Sequence, residues 1–235
     1  IKVGISEDIQ NAADHGIQIF GGMGFSADTP MESAWRDSRI GRIYEGTNEI
    51  NRMLSVGMLL KKGMKGQLDL MPAVMKAAAA INDNTSIPDT KAPLAEEIRL
   101  LTNFKQIFTV LTGNAAQKYG DKLDKHQQLL LALADILIEI YFTESGILRT
   151  LKNCDRFGVE SQNIQIAMTK AYLYEATDII ARKGKEIILN MYDKKEQKQM
   201  MSVLHKKLQY QEWPDLIDLK TKIADKLIEE NKYCF

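Results

Sequence analysis

Apolar residues at intervals of three or four positions are the feature that most restricts the fold of this chain. One series consists of Leu94, Ile98, Leu101, Phe104, Phe108, Leu111 and Ala115, and a second of Leu130, Leu133, Leu137, Ile140, Ile147 and Leu151. This spacing places the apolar side chains on one face of an α-helix. No segment with a two-residue period is convincing as a strand. The sequence therefore predicts an all-α fold, most simply an antiparallel helical bundle.

The predicted helices fall into two regions of different composition. Ten of the 15 glycines precede residue 67, whereas the later region is rich in Lys, Glu, Leu, Ile and Ala. We therefore expect one domain at 1–62 and a second at 67–235. The longest helix, 122–153, is expected to bend near Gly146. The other predicted helices are 6–19, 31–39, 47–61, 162–182, 185–192, 194–208, 214–230 and one along the first apolar series, with a loop at 82–88.

Charge and cysteine content exclude several classes of protein. Thirty-one basic residues balance 31 acidic ones, so no net field attracts nucleic acid or an anionic membrane. Cys154 and Cys234 lack C-x-x-C spacing and the three histidines are far apart, which argues against a disulfide framework or a metal site. No apolar run approaches the roughly 20 residues that a membrane-spanning helix needs. We expect a soluble protein from a reducing compartment.

A glycine-rich segment follows the first predicted helix. Residues Gly22 to Ala27 fit G-x-G-x-x-A, the turn of a dinucleotide-binding Rossmann unit. Such a turn must open directly into a long helix inside a βαβ unit, but Pro30 follows closely and no second strand appears downstream. The Rossmann interpretation is therefore disfavoured. Taken alone, these glycines simply end the preceding helix, which is a common use of glycine.

A single glutamate, Glu45, stands in the sequence I-Y-E-G-T between two predicted helices. On the residues alone it is a solvated surface group or part of a helix start. Thr47 suits the cap position of the next helix, and Glu49 is favourable in its first turn. The amino end of a helix also stabilises phosphate, so capping and anion binding are compatible here.

Three motifs together resemble the acyl-CoA dehydrogenases. They are Q-I-F-G-G-M-G from Gln18, the R-D dipeptide at Arg36, and I-Y-E-G-T-N-E-I from Ile43, in that family's order and spacing. The resemblance is close over about the first 60 residues, and the rest is similar to the extra C-terminal region of the very-long-chain type. Because the chain starts at Ile1 without an initiator methionine, we expect the C-terminal part of a longer polypeptide. In this interpretation 1–62 ends the family's C-terminal helical domain and 67–235 is an additional bundle.

The resemblance implies roles for particular residues. Glu45 matches the glutamate that is the catalytic base in most members, and Gly46 leaves room for the thioester. A mostly apolar slot raises the pKa of such a carboxylate, and Ile43 and Tyr44 are expected to supply that slot. The segment matching the contact with FAD of a neighbouring subunit is Gln18, Ile19, Phe20, Gly21 and Gly22, and the residues matching those along the FAD pyrophosphate and adenine are Thr47, Asn48 and Glu49.

The same resemblance implies an activity and partners. The parent protein would oxidise an acyl-CoA thioester to the trans-2-enoyl-CoA in fatty-acid β-oxidation, with electron-transfer flavoprotein as acceptor. It would be a homodimer, cytoplasmic in a bacterium or mitochondrial in a eukaryote. The chain alone would be colourless and inactive. Nucleic acid is not an expected partner, and peripheral membrane contact is not favoured. The alternative is a non-catalytic helical module for dimerisation or assembly, derived from that family.

Overall fold

The computed structural model describes residues 1–83 and 92–234, and these residues are helical without a strand. The all-α prediction is confirmed. The α-helices are α1 (Lys2–Phe20), α2 (Gly22–Phe25), α3 (Pro30–Ile40), α4 (Asn48–Met64), α5 (Leu70–Ala80), α6 (Ala95–Tyr119), α7 (Gln127–Phe157), α8 (Asn163–Met191), α9 (Lys194–Leu208) and α10 (Leu216–Glu230). The chain divides into two compact units, Ile1–Lys61 and Lys62–Phe235, which are described separately.

The structure confirms some predicted helices and corrects others. Helix α9 has the predicted bounds. Helix α7 begins later than expected, because a 3₁₀ segment, Gly120–Lys125, precedes it, and it runs through Gly146 without the expected interruption. The predicted helices 162–182 and 185–192 are one helix, α8. The predicted loop at 82–88 lies mostly outside the described residues.

Helix α5 is an element that the sequence analysis missed. Pro72 stands in its first turn, where proline is tolerated, and a run of alanines, which are strong helix formers, completes the helix. The helix packs on α6 through a close approach at Gly113. A Cβ atom at Gly113 would lie 2.4 Å from Cγ1 of Val74. Only glycine lets these two helices meet at this distance.

In the first unit, α1 packs against α2 and α3. Gly21 ends α1 with a φ of 61°, as expected from the glycine pattern. A one-turn helix, α2, then follows in place of the open turn that the sequence suggested. It folds back closely, because a Cβ atom at the buried Gly24 would lie only 2.5 Å from the carbonyl oxygen of Ile17. Pro30 stands at the start of α3, as predicted.

The core of the second unit surrounds α6, which contacts α5, α7, α8 and α9. Phe104 and Leu111 on α6 and Leu133 on α7 are fully buried, as their spacing predicted. Burying each such side chain contributes about 1.5–3 kcal/mol. The buried surface of α6 is wider than one apolar face, because Leu100 and Ile107 are buried as well. Helix α6 is therefore the central helix of this unit.

Buried polar side chains connect α6 with the end of α9. Arg99 donates to both carboxylate oxygens of Glu96, at 2.7 and 2.8 Å, and to the carbonyl oxygen of Gln209 at 2.7 Å. The ammonium group of Lys207 donates to the carbonyl oxygen of Asp83 at 2.9 Å and to Gln106 at 2.6 Å. Burial lowers the pKa of Lys207, and the nearby Asp83 opposes that shift. These contacts hold the end of α9 against both α6 and the turn that follows α5.

Candidate active site

Glu45 lies in the loop between α3 and α4, in a backbone conformation that is unfavourable for most residues. Its φ is 55°, and the next residue, Gly46, has a φ of 83°. A non-glycine residue in the left-handed region costs roughly 1–2 kcal/mol, and such residues often mark functional sites. The side chain of Glu45 is exposed. The loop thus presents one carboxylate outward from a strained backbone.

Side chains of α1 and α4 hold the carbonyl groups of this loop. The Asn51 amide donates to the carbonyl oxygens of Gly46 at 2.6 Å and Thr47 at 3.2 Å, and more weakly to that of Glu45 at 3.4 Å. The Lys2 ammonium donates to the same Gly46 oxygen at 2.9 Å. Because these bonds satisfy successive carbonyls, they fix the path of the backbone around Glu45.

Asn48 is an internal residue with only 1% of its surface exposed. Its amide donates to Ser6 Oγ at 2.9 Å and to Glu7 Oε1 at 3.1 Å, and its oxygen accepts from Lys2 Nζ at 2.7 Å. The side chain therefore joins α1 to α4 in the interior of the unit. The expectation that Asn48 lies along FAD stays a prediction.

An ion pair reinforces the same junction. The two terminal guanidinium nitrogens of Arg52, Nη1 and Nη2, donate to Glu7 at 2.8 and 2.7 Å, and Arg42 lies 3.8 Å from that carboxylate. Burial acts to raise the pKa of Glu7, but the hydrogen bonds from Arg52 and Asn48 outweigh it and the pKa is lowered. Sequence reasoning missed Glu7 and Arg52, because no local pattern connects residues 45 positions apart in the chain. It also missed Asn51, although the carbonyl groups that Asn51 holds are only four to six positions away.

Thr47 caps α4, as the sequence predicted. Its hydroxyl oxygen accepts from the backbone N–H of Ile50 at 3.4 Å. Glu49 is exposed in the first turn, and its pKa is lowered by its own backbone N–H first and by a hydrogen bond from Thr47 second. A carboxylate is thus already stabilised at this helix end, which is favourable for negative charge.

The segment from Gln18 to Gly22 forms the last turn of α1 and the start of α2. Ile19 and Phe20 are 83% and 51% exposed, although both are apolar. A Cβ atom at Gly21 or Gly22 would meet no atom within 4 Å, so the backbone is open to close approach. The 12 residues from Ser6 to Gln18 span about 18 Å of helix, at 1.5 Å per residue. Because Ser6 bonds to Asn48, the segment from Gln18 to Gly22 lies at the opposite end of α1 from Asn48.

The expected apolar slot around Glu45 is not formed by its neighbours in this unit. Ile43 and Tyr44 are 47% and 53% exposed, and they leave Glu45 in solvent. The expectation that these two residues supply the slot stays a prediction, and it requires further groups from outside this unit to cover Glu45.

Metal clusters, disulfides and membrane-spanning helices are absent from the described residues. No group of three or more histidine, cysteine or acidic side chains among them could hold a metal ion. Cys154 is buried and Cys234 partly buried, and neither is in a disulfide. Within the ranges that the structure describes, no helix is long and apolar enough to cross a membrane.

Comparisons with known proteins agree with these segments. Residues 1–59 and 103–206 match two family models, each described as "Acyl-CoA dehydrogenase, C-terminal domain". A probable acyl-CoA dehydrogenase of Bacillus subtilis (strain 168) is 35% identical over 236 residues, which cover 99% of this chain but 39% of the relative. A short-chain specific mitochondrial acyl-CoA dehydrogenase of Sus scrofa is 47% identical over 60 residues, 26% of this chain and 14% of that protein.

A solved structure matches this chain over its whole length. The crystal structure of an acyl-CoA dehydrogenase from Bacillus anthracis, complexed with FAD, has a TM-score of 0.93 and 38% identity, and the match covers 100% of this chain and 39% of that one. The chain thus spans about two fifths of the length of these two Bacillus proteins. One of the two family matches lies in each of the two units, residues 1–59 in the first and residues 103–206 in the second.

Proposed function

We propose that this chain is the C-terminal part of an FAD-dependent acyl-CoA dehydrogenase that oxidises an acyl-CoA thioester to the trans-2-enoyl-CoA in fatty-acid β-oxidation. The observation that carries the proposal is the strained, exposed Glu45 in a loop whose carbonyls are held by Asn51 and Lys2. A fixed backbone positions a base within the narrow range that proton transfer requires. The identity to the Bacillus relatives supports the same assignment.

Glu45 would take the α-proton of the thioester, and Gly46 would leave space for that group. A free glutamate has a pKa of about 4.3 and is a weak base at neutral pH. Desolvation raises the pKa of a carboxylate and makes it a better base. Because Ile43 and Tyr44 are exposed, the covering of Glu45 must come from parts of the enzyme outside this unit.

FAD would supply the acceptor for the β-hydride. The open backbone at Gly21 and Gly22 and the exposed apolar surface of Ile19 and Phe20 fit close contact with a large planar cofactor. Together with Gln18, these residues would form one wall of the FAD site. Thr47, Asn48 and Glu49 would lie along its pyrophosphate and adenine part. Since one wall makes only part of the contacts, the chain alone should purify without flavin. Stoichiometric flavin in the purified chain would contradict this division of the site.

The remaining assignments belong to the assembled enzyme. Residues 67–235 would be the additional helical bundle of the very-long-chain type, following 1–62 as the end of the common helical domain. Electron-transfer flavoprotein would accept the electrons from the reduced FAD. The enzyme would be a homodimer. Exposed apolar residues in the first unit, including Ile5, Ile9 and Ile40, favour burial against a partner. They also favour the alternative, a non-catalytic module for dimerisation or assembly.

Substitution of Glu45 distinguishes the dehydrogenase from the non-catalytic assembly module. In the full-length polypeptide, Glu45→Gln should lower acyl-CoA dehydrogenation by several orders of magnitude, because the amide has the same shape and cannot accept the proton. Bound flavin, measured by its visible absorption, should be unchanged. Asp14→Asn, which changes an exposed carboxylate on α1, is the matched control and should retain activity. Near-normal turnover by Glu45→Gln would place the base elsewhere, and a wild-type protein inactive on every acyl chain length would favour the assembly module.

A further inference from the structure

A cavity of about 390 Å³ lies between α7 and α8 in the second unit. This volume falls within the range of about 300–1,000 Å³ that is usual for small-molecule sites. Apolar and aromatic side chains, Phe142, Met168 and Tyr172, form much of its wall. The cavity is therefore large enough, and apolar enough, to take the body of an organic ligand.

Gly146 keeps this cavity open. It stands in the interior of α7, where glycine costs roughly 0.5–1 kcal/mol relative to alanine. At Gly113 and Gly184 the absence of a side chain makes room for Val74 and Leu204, so packing explains those glycines. At Gly146 a Cβ atom would meet no atom within 4 Å. Nothing within the unit requires glycine at this position, and because Gly146 lines the cavity, a side chain there would occupy part of its space.

Thr143, one of the residues that line the same cavity, carries a buried hydroxyl group. Thr143 is only 1% exposed, and its Oγ1 has no hydrogen-bond partner among the described residues. An unpaired buried hydroxyl costs free energy, so its presence beside a cavity indicates a missing partner. The neighbouring hydroxyls of Thr150 and Thr169 bond to each other at 2.8 Å and need no further partner.

The charged residues around the cavity indicate which charge a ligand should carry. Arg149 is the charged residue among the described lining residues, it is exposed, and its side chain makes no ion pair with another described residue. Glu139 is at the other end, where it accepts a hydrogen bond from Tyr172 at 2.9 Å. Ten residues of helix separate Glu139 from Arg149, or about 15 Å. A negative group is therefore favoured at the Arg149 end and disfavoured at the other.

We propose that this cavity binds a small amphipathic carboxylate, whose charged group pairs with Arg149 while its apolar body lies along Phe142, Met168 and Tyr172. Thr143 would hydrogen-bond to a polar atom of the ligand or to a water molecule carried in with it. Gly146 leaves the space that the apolar body fills.

The probe is decanoate, with decanol as the neutral molecule of matched length, and binding to the chain is measured by calorimetry and by displacement of a fluorescent anionic dye. Wild type should bind decanoate more tightly than decanol. Arg149→Gln should weaken decanoate binding about tenfold, because it removes a charge-assisted hydrogen bond. The affinity for decanol should be unchanged. The preference for the carboxylate should then disappear.

Filling the cavity gives a second, independent test. Gly146→Ala, Gly146→Val and Gly146→Leu should weaken both probes progressively, by tenfold or more at leucine, with no loss of helicity. Gly57→Leu is the matched control, because Gly57 is also inside a helix and its Cβ would also meet no atom within 4 Å. The proposal is overturned if neither probe binds, if Gly146→Leu binds decanoate as wild type does, or if Arg149→Gln keeps the preference for decanoate.

Discussion

The two glycines that stand inside α6 and α7 should respond in opposite directions to the same substitution. Alanine is favoured over glycine in a helix interior by about 1 kcal/mol. At Gly146 no atom opposes the new methyl group, so Gly146→Ala should stabilise the second unit by about 0.5–1 kcal/mol. At Gly113 the methyl group would lie 2.4 and 2.7 Å from the two γ-carbons of Val74.

The expected effect at Gly113 follows from the difference between two contributions. Overpacking costs about 1–3 kcal/mol, and the stiff, β-branched Val74 cannot move aside without moving α5. After subtraction of the helix-propensity gain of about 1 kcal/mol, Gly113→Ala should destabilise the unit by up to about 2 kcal/mol. Val74→Ala should remove the clash, so the double variant should be more stable than the sum of the single effects predicts, by about 1–2 kcal/mol.

Urea unfolding followed by circular dichroism measures each of these free energies. The comparison is internally controlled, because both glycines lie in long helices of one unit and receive the same methyl group. The reasoning is refuted if Gly113→Ala stabilises the protein as much as Gly146→Ala does. Strict additivity of Gly113→Ala and Val74→Ala would also refute it, since it would show that α5 and α6 do not meet at this point.

Two further predictions concern the loop that carries Glu45. The lowered pKa of Glu7 means that its contribution to stability is complete above its unfolded pKa, about 4.3, and is lost as the pH falls through the lower folded value. The unfolding midpoint of wild type should therefore decrease more steeply below pH 4 than that of Glu7→Gln, and parallel midpoints would exclude the effect. Asn51→Ala should destabilise the first unit by about 1–2 kcal/mol, because it releases the carbonyls of Gly46 and Thr47. In the full-length enzyme it should lower kcat more than it raises KM, and a change in KM alone would show that the loop is positioned by other contacts.

Helix positions were predictable where the signal is local. The bounds of α9 were correct because its first turn is specified within four residues: Asp193 accepts from the backbone N–H of Glu196, and the Glu196 side chain accepts from that of Asp193. At Gly184 the local signal misled, since glycine in a helical pattern suggested a break. A Cβ there would lie 2.9 Å from Leu204, so tertiary packing uses the glycine and α8 continues through it.

The candidate site was predictable only in part for the same reason. The motif around Glu45 is contiguous, so it could be recognised, and Thr47 could be identified as a cap. Some of the groups that hold the loop and its junction come from α1, where Lys2 and Ser6 bond to Asn48 across 46 and 42 positions of sequence. Sequence spacing does not encode such pairs. It also could not show that Asn48 faces the interior.

The contacts of Arg99 have a consequence for synthesis of the chain on the ribosome. Arg99 bonds to a carbonyl 110 positions later, and Asn103 to one 104 positions later. At about 5–20 residues per second, translation needs roughly 5–20 seconds to deliver those partners. During this interval Glu96, three positions away, can already neutralise Arg99. The apolar surface around Phe104 has no such local substitute, so nascent chains that end before Gln209 should be bound by chaperones more strongly than the completed unit.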